Sequence, residues 1–160
     1  MKDLQDLFRH FVRDMYYAEK KILKTLPKMA RKASDPELRE AFEHHQAETE
    51  TQVERLEKVF DSLGMAHRGV TCEAIEGILE EGSEIMQETD EGKALDAGMI
   101  AAAQAVEHYE IARYGTLLSW ARELGHDDAA RLIAETLEEE KSADKKLTDI
   151  GESSLNREAA

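Results

Sequence analysis

A chain of 160 residues with 41% hydrophobic and 35% charged residues, two prolines and a formal net charge of −14 has enough apolar surface for one domain core and is composed for helices rather than sheet. The acidic balance argues against nucleic acid and anionic membrane as partners. The single cysteine, Cys72, rules out an internal disulfide, no apolar run approaches the roughly 20 residues needed to span a bilayer, and the N-terminus enters a helical pattern directly, so the expectation is a cytoplasmic protein without a signal peptide.

The first long helix is expected from about Lys2 to Lys32. Phe8, Val12, Met15, Glu19, Ile22, Leu26 and Met29 recur at spacings of three and four, which puts a glutamate on the core-facing line. Pro27 falls inside the pattern and predicts a kink or a short break. Ser34 or Asp35, followed by Pro36, is the stop-and-restart signal. A second long helix is expected from Pro36 to Leu63. Its stripe reads Leu38, Phe42, His45, Glu48 or Thr49, Gln52, Leu56, Val59 or Phe60, and Leu63, polar through its middle two turns. Gly64 stops it, and residues 65–71 read as a loop.

Cys72 to Thr89 forms a shorter helix with Ile75, Ile78, Leu79, Ile85 and Met86 on its apolar side. Gly77 and Gly82 weaken it. It carries no polar stripe and is placed as the crossover between two helical hairpins. The third long helix is expected from about Lys93 to Leu124, closed by Gly125. Its line of Ala103, Val106, Tyr114, Leu117, Ala121 and Leu124 is interrupted by Glu110. The fourth starts near Asp127 or Asp128, both suited to capping, and runs to about Ile150 on Ile133, Leu137, Glu140, Asp144 and Leu147. One domain is thus drawn over residues 1–152, with 153–160 as a frayed polar tail.

A carboxylate in a core is costly unless it is paired or bound to a metal. A single glutamate near an apolar stripe is more often a solvated edge or a salt-bridge partner. Here each of the four long helices carries one near its centre: Glu19, Glu48, Glu110 and Glu140. The two halves echo one another, since Glu19 and Glu110 stand the same distance before a Thr-Leu pair, Thr25-Leu26 and Thr116-Leu117. Short connections and one long crossover bring four such centres to one level. Their mutual repulsion must then be relieved by protonation or by cations.

His45, one turn before Glu48, and Asp144, one turn after Glu140, complete the candidate ligand set. Three neighbours are weighed beside it. Glu107 is a ligand or a surface group, Gln52 is a ligand or the group that orients one, and Glu139 is the alternative to Glu140 for the inward position. Carboxylate with imidazole or amide suits iron or manganese better than zinc. The expected cofactor is two divalent ions, iron or manganese. Tyr16, Tyr17, Tyr109 and Tyr114 are expected to pack in the bundle, one of them reaching a ligand. Glu123-x-x-His126 has metal-motif spacing, but Gly125 interrupts it, and both residues are expected at an exposed hairpin end.

Leu4-Gln5-Asp6-Leu7 with Ala18-Glu19-Lys20, Glu48-Thr49 with Gln52-Val53-Glu54-Arg55-Leu56, Glu107-His108-Tyr109-Glu110, and Thr136-Leu137 with Glu139-Glu140-Lys141, Asp144 and Leu147 together resemble the YciF-type family of ferritin-like proteins, over Lys2 to about Ile150. The resemblance implies an all-α, ferritin-like four-helix bundle with an additional short helix in the crossover between the second and third long helices. It also implies a homodimer, a di-metal centre and a link to the bacterial stress response. The wider superfamily places a glutamate on helices 1 and 3 and Glu-x-x-His on helices 2 and 4. Glu19 and Glu110 match the single glutamates. The second helix offers His45-x-x-Glu48 in reversed order and the fourth offers Glu140 with Asp144, an oxygen-richer set.

The function expected from this is a non-haem di-iron or di-manganese protein reacting with oxygen or hydrogen peroxide, an oxidoreductase if it turns over. No rubredoxin-like cysteine cluster is present, so electrons would come from an external donor. The alternative is a structural or interaction dimer without turnover, and metal storage is a third reading.

Overall fold

The computed structural model describes residues 1–160. Its elements are α1 (Leu4–Lys32), α2 (Pro36–Ser62), α3 (Glu73–Glu88), α4 (Lys93–Glu123) and α5 (Asp127–Ile150), then a wide π-turn at Gly151–Leu155 and a final turn α6 (Asn156–Ala159). Each start is set locally. Asp3 accepts from the Asp6 amide, Asp35 from the Glu37 and Leu38 amides, and Cys72 Sγ from the Ile75 amide, satisfying donors that a helix N-terminus leaves free. Asp127, expected as a cap, is instead the first helical residue of α5, which has no side-chain cap. Gly64 and Gly125 follow the ends of α2 and α4 at φ 62° and 71°, where a Cβ is disfavoured.

Helices α1, α2, α5 and α4 pack in that cyclic order, and α3 lies outside against α4 and α1. The Ser34 and Asp35 amides at the start of α2 donate to Asp96 near the start of α4. Gln5 at the start of α1 meets His126 beyond the end of α4. The bundle helices therefore run up, down, down, up. This is the ferritin-like four-helix bundle with an extra helix in the crossover. A bundle helix of 31 residues, α4, is about 46 Å long, and the 16 residues of α3 cover only about 24 Å of the return. The preceding loop covers the rest, fastened to α1 by Val70 N to Arg13 O at 3.2 Å and Arg13 Nε to Arg68 O at 3.0 Å.

Of the kink or short break expected at Pro27, the break does not occur: α1 is continuous across it. Ile22, Leu26, Met29 and Ala30 on either side are buried, and that packing outweighs the roughly 3 kcal/mol cost of proline inside a helix. The tail does not fray at residue 153. The π-turn inserts one residue, so that Leu155 rather than Ser154 follows Leu147 and Ile150 into the core, where it is buried. Glu158 then reaches Lys93 at 3.2 Å.

Gly82, read as a weakness of α3, serves packing: a Cβ there would lie 3.3 Å from Ala102 Cβ, so its absence lets α3 approach α4. Buried aromatic and aliphatic side chains fill the bundle at Phe8, Phe42, Phe60, Leu95, Met99 and Leu117. Between these apolar layers lies a polar one.

Candidate metal centre

Glu19, His45, Thr49, Gln52, Glu107, Glu110, Thr136 and Glu140 are the buried polar side chains at the level of that middle layer. They arrive from all four bundle helices, because each helix replaces an apolar position near its centre. Ligand atoms of His45, Glu107, Glu110 and Glu140 lie within 4.8 Å of one another. Glu19 joins them from α1, one of its oxygens accepting from the buried Tyr114 hydroxyl. Tyr114 is thus the tyrosine that reaches a ligand candidate.

Very little within the protein answers these groups. Both oxygens of Glu110, both of Glu140, and one each of Glu19 and Glu107 have no hydrogen-bond partner, and neither ring nitrogen of His45 makes a hydrogen bond. His45 Nε2 lies 3.2 Å from Glu107 Oε1 and 3.9 Å from Glu140 Oε2. Native proteins rarely leave buried polar atoms in this state.

The electrostatics agree. Burial, then the neighbouring Glu140 carboxylate, pushes the Glu19 carboxyl up from 4.5 to about 8. Burial above all raises Glu107 to about 7. Glu110 and Glu140 are driven well above the carboxylate range by desolvation first, then Glu110 by Glu140, Glu19 and Glu107, and Glu140 by Glu107. For His45, burial opposes the charged form, but Glu48, Glu140 and Glu19 outweigh it and raise its pKa. Without a cation this layer holds protons at neutral pH. The donor set of carboxylate oxygens with one imidazole, orphaned and convergent, can hold a metal and suits iron or manganese.

The other sequence-predicted residues lie around this group. Glu48 is half-buried, 3.7 Å from His45 Nδ1 and 3.2 Å from the ring of His44; Thr49 takes the inward position on α2. Gln52 is buried next to Glu140 and donates to Glu139 at 3.0 Å, its own oxygen unpartnered. Glu139 points away, gripped by both terminal nitrogens of Arg55 at 2.6 Å, so Glu140 is the inward member of that pair. Asp144 sits at the α4–α5 seam, accepting from Gln104 at 3.1 Å and 3.2 Å from His108 Nε2. Glu107 proves to be buried inside the cluster rather than at the surface. At the hairpin end Glu123 is exposed as expected, but His126 is half-buried, stacked on Phe8 at 5.5 Å.

Sequence reading missed two further buried acids, Asp96, which fastens the start of α2, and Asp14, which accepts from Tyr109 at 2.9 Å. It also missed His44. The available signal was its spacing of four residues before Glu48, which places the two on one helix face.

Fold and centre together define a class: a ferritin-like helical bundle with a buried histidine–carboxylate group able to hold metal. Within that class the chain belongs to the YciF-type family, matched over residues 3–160 by the family described as a domain of unknown function, DUF892. It is 45% identical to Protein YciF of Escherichia coli strain K12 over 160 residues, covering 99% of this chain and 96% of that protein. The crystal structure of that Escherichia coli stress protein superposes with a TM-score of 0.93 over 98% of this chain and 99% of its own. YcfI of Rhodopseudomonas palustris, described as a candidate structural protein, is 49% identical, with a TM-score of 0.90 over 92% of this chain and 94% of its own. A protein of Xanthomonas campestris at 23% identity and TM-score 0.75, covering 99% of this chain and all of its own, shares the fold. No helix is long and apolar enough to cross a membrane.

Proposed function

We propose that this protein is a di-metal carboxylate protein of the bacterial stress response, binding two divalent ions, iron first and manganese second, and reacting with oxygen or peroxide. One observation carries the reading: four carboxylates from three helices share a buried layer with His45, and each has at least one oxygen without a hydrogen-bond partner in the protein. The residues that would hold the ions are Glu19, His45, Glu107, Glu110 and Glu140, with Glu48 at the edge. Bound reduced ions supply electrons in pairs. The chain's own part is to position and to exclude water. Tyr114 fixes the Glu19 carboxylate through its hydroxyl. Gln52, held by Glu139, lies beside Glu140 and favours its ionised form. The apolar layers on either side keep bulk water out, so a proton given up by Glu110 or Glu140 stays within the layer or leaves past His45.

Within this reading the chain works as a homodimer and takes electrons from a separate donor, and Asp144 stands outside the ligand group. The second reading, a structural dimer without turnover, draws on the description given to the Rhodopseudomonas relative and on a cluster able to neutralise itself with protons. Metal content measured by elemental analysis after purification without chelator, followed by peroxide consumption by the iron-loaded protein, decides between them. About two ions per chain with consumption supports the first. Two ions without consumption supports a structural role for the metal, and none after anaerobic loading overturns the metal reading.

A further inference from the structure

A cleft of about 530 Å³ opens between α2, α4 and α5 and ends on His45 and Glu107. It reaches the buried layer at these two residues. Its wall is apolar at Phe42, Ala103 and Leu147, and its mouth carries Glu37, Glu40, His44 and Glu48 against a single cation, Lys146. Lys146 is paired with Glu37 across the opening. The acidic excess favours cations entering from solvent. The volume admits a divalent ion with a six-water shell, roughly 200 Å³ at ~30 Å³ per water.

Down one side runs a graded series of ligand-type groups. The His44 side chain is 73% exposed, Glu48 24%, His45 8% and Glu107 2%. Consecutive members approach to 3.2 Å, 3.7 Å and 3.2 Å. One Glu48 oxygen faces His44 and the other faces His45, so a single carboxylate joins the surface to the interior. His45, whose two ring nitrogens make no hydrogen bond, is the inner end of the cleft and the outer end of the cluster.

We propose that this cleft is the port through which divalent cations reach the buried centre, with His44 and Glu48 forming a transient docking site at its mouth. The ion sheds water there and passes inward to His45 and Glu107. His44 is thereby assigned to loading and not to the resident ligand set, and Lys146 retards entry. The inference rests on the metal-binding reading above.

Stopped-flow mixing of chelator-treated, full-length protein with Co(II), followed by the visible absorption of bound cobalt, tests it. His44→Ala removes an exposed group and leaves the core intact. Ala143→Trp fills the cleft from α5, and its fold is checked by circular dichroism. Both are expected to slow loading by about tenfold while the final spectrum and stoichiometry match wild type. Lys146→Gln is expected to speed loading about twofold, with the effects of charge shrinking as salt is raised.

Wild-type rates in both His44→Ala and a folded Ala143→Trp would overturn the port while leaving the metal reading standing. Loss of a bound ion at equilibrium in His44→Ala would make His44 a resident ligand and overturn its loading role. No cobalt uptake by wild type would overturn both readings together.

Discussion

Glu139 and Glu140 are neighbours on α5 and meet opposite electrostatic fates. Glu139 turns toward α2, where Arg55 holds it through two 2.6 Å bonds, Gln52 adds a third, and Arg55 also reaches Thr136. That region is closed: every charge has its counter-charge within the protein, at the partly solvated edge of the bundle. Glu140 turns inward to a buried layer where it meets Glu107, Glu110 and His45, with Glu19 also acting on it, and neither of its oxygens has a hydrogen-bond partner. That region is open: it is neutral only with protons or cations from outside. An ion pair matched in place is neutral by itself, whereas a buried set of like charges needs protons or a bound cation.

The largest test of this contrast is to remove one carboxylate from the open region. Glu110→Ala is expected to lower Fe(II) or Mn(II) affinity by about 100-fold or more, about 2.8 kcal/mol at 1.4 kcal/mol per decade. The metal-free stability is expected to stay level or rise, because a crowded acid is gone. Anaerobic titration paired with denaturant midpoints checks both halves. Unchanged affinity together with a large loss of metal-free stability would show that Glu110 is a structural ion-pair partner.

The reciprocal change in the closed region should invert that pattern. Arg55→Ala takes from Glu139 and Thr136 the donor they share, leaving Gln52 alone on Glu139, and is expected to cost about 1–3 kcal/mol with or without metal. Affinity should fall less than for Glu110→Ala, through the loosened Gln52 alone. A loss of stability seen only in the metal-loaded protein would contradict the division into two regions.

pH separates the regions by sign. Glu19 and Glu107 titrate at about 8 and about 7 in the folded chain against 4.5 ordinarily, so the folded state binds more protons than the unfolded one between pH 5 and 8. Stability of the metal-free protein therefore falls as pH rises through that window. The raised His45 acts in the same direction, its contribution being present at low pH and lost as pH rises through the folded value. Metal affinity moves the other way, since ligands must be ionised to bind. Melting temperatures of chelated and metal-loaded protein should diverge from pH 5.5 to 8, and a chelated protein that gains stability over this range would refute the shared-proton state.

The smallest effect belongs to Tyr114→Phe. It deletes the hydroxyl on Glu19 while keeping the ring, and about 1 kcal/mol of stability should be lost. Because that hydrogen bond favours the ionised Glu19, its loss should also move the pH dependence of metal binding upward. A pH profile unchanged from wild type would leave Tyr114 a packing residue only.

Helix positions, the crossover and the core lines were legible from residue spacing, because a 3.6-residue period and the end signals at Asp35, Gly64 and Gly125 are local properties. The presence of acids on the core lines of α1, α4 and α5 was legible for the same reason: Glu19, Glu110 and Glu140 stand where an apolar residue belongs. Which acids meet was decided only in three dimensions. Glu48 and Thr49, or Glu139 and Glu140, differ by one residue and about 100° around a helix. Only the packing of α2 against α5 turns Thr49 and Glu140 inward and hands Glu139 to Arg55.

Glu107 could be a surface group until α2 brought His45 to within 3.2 Å of it. Leu155 became core only through the added residue of a π-turn. The cleft belongs to no single helix, so no periodicity could announce it. The sequence determined that acids enter the core; the tertiary structure decided which of them face one another without a counter-charge, since repulsion and pairing depend on distances between helices that the chain brings together only on folding.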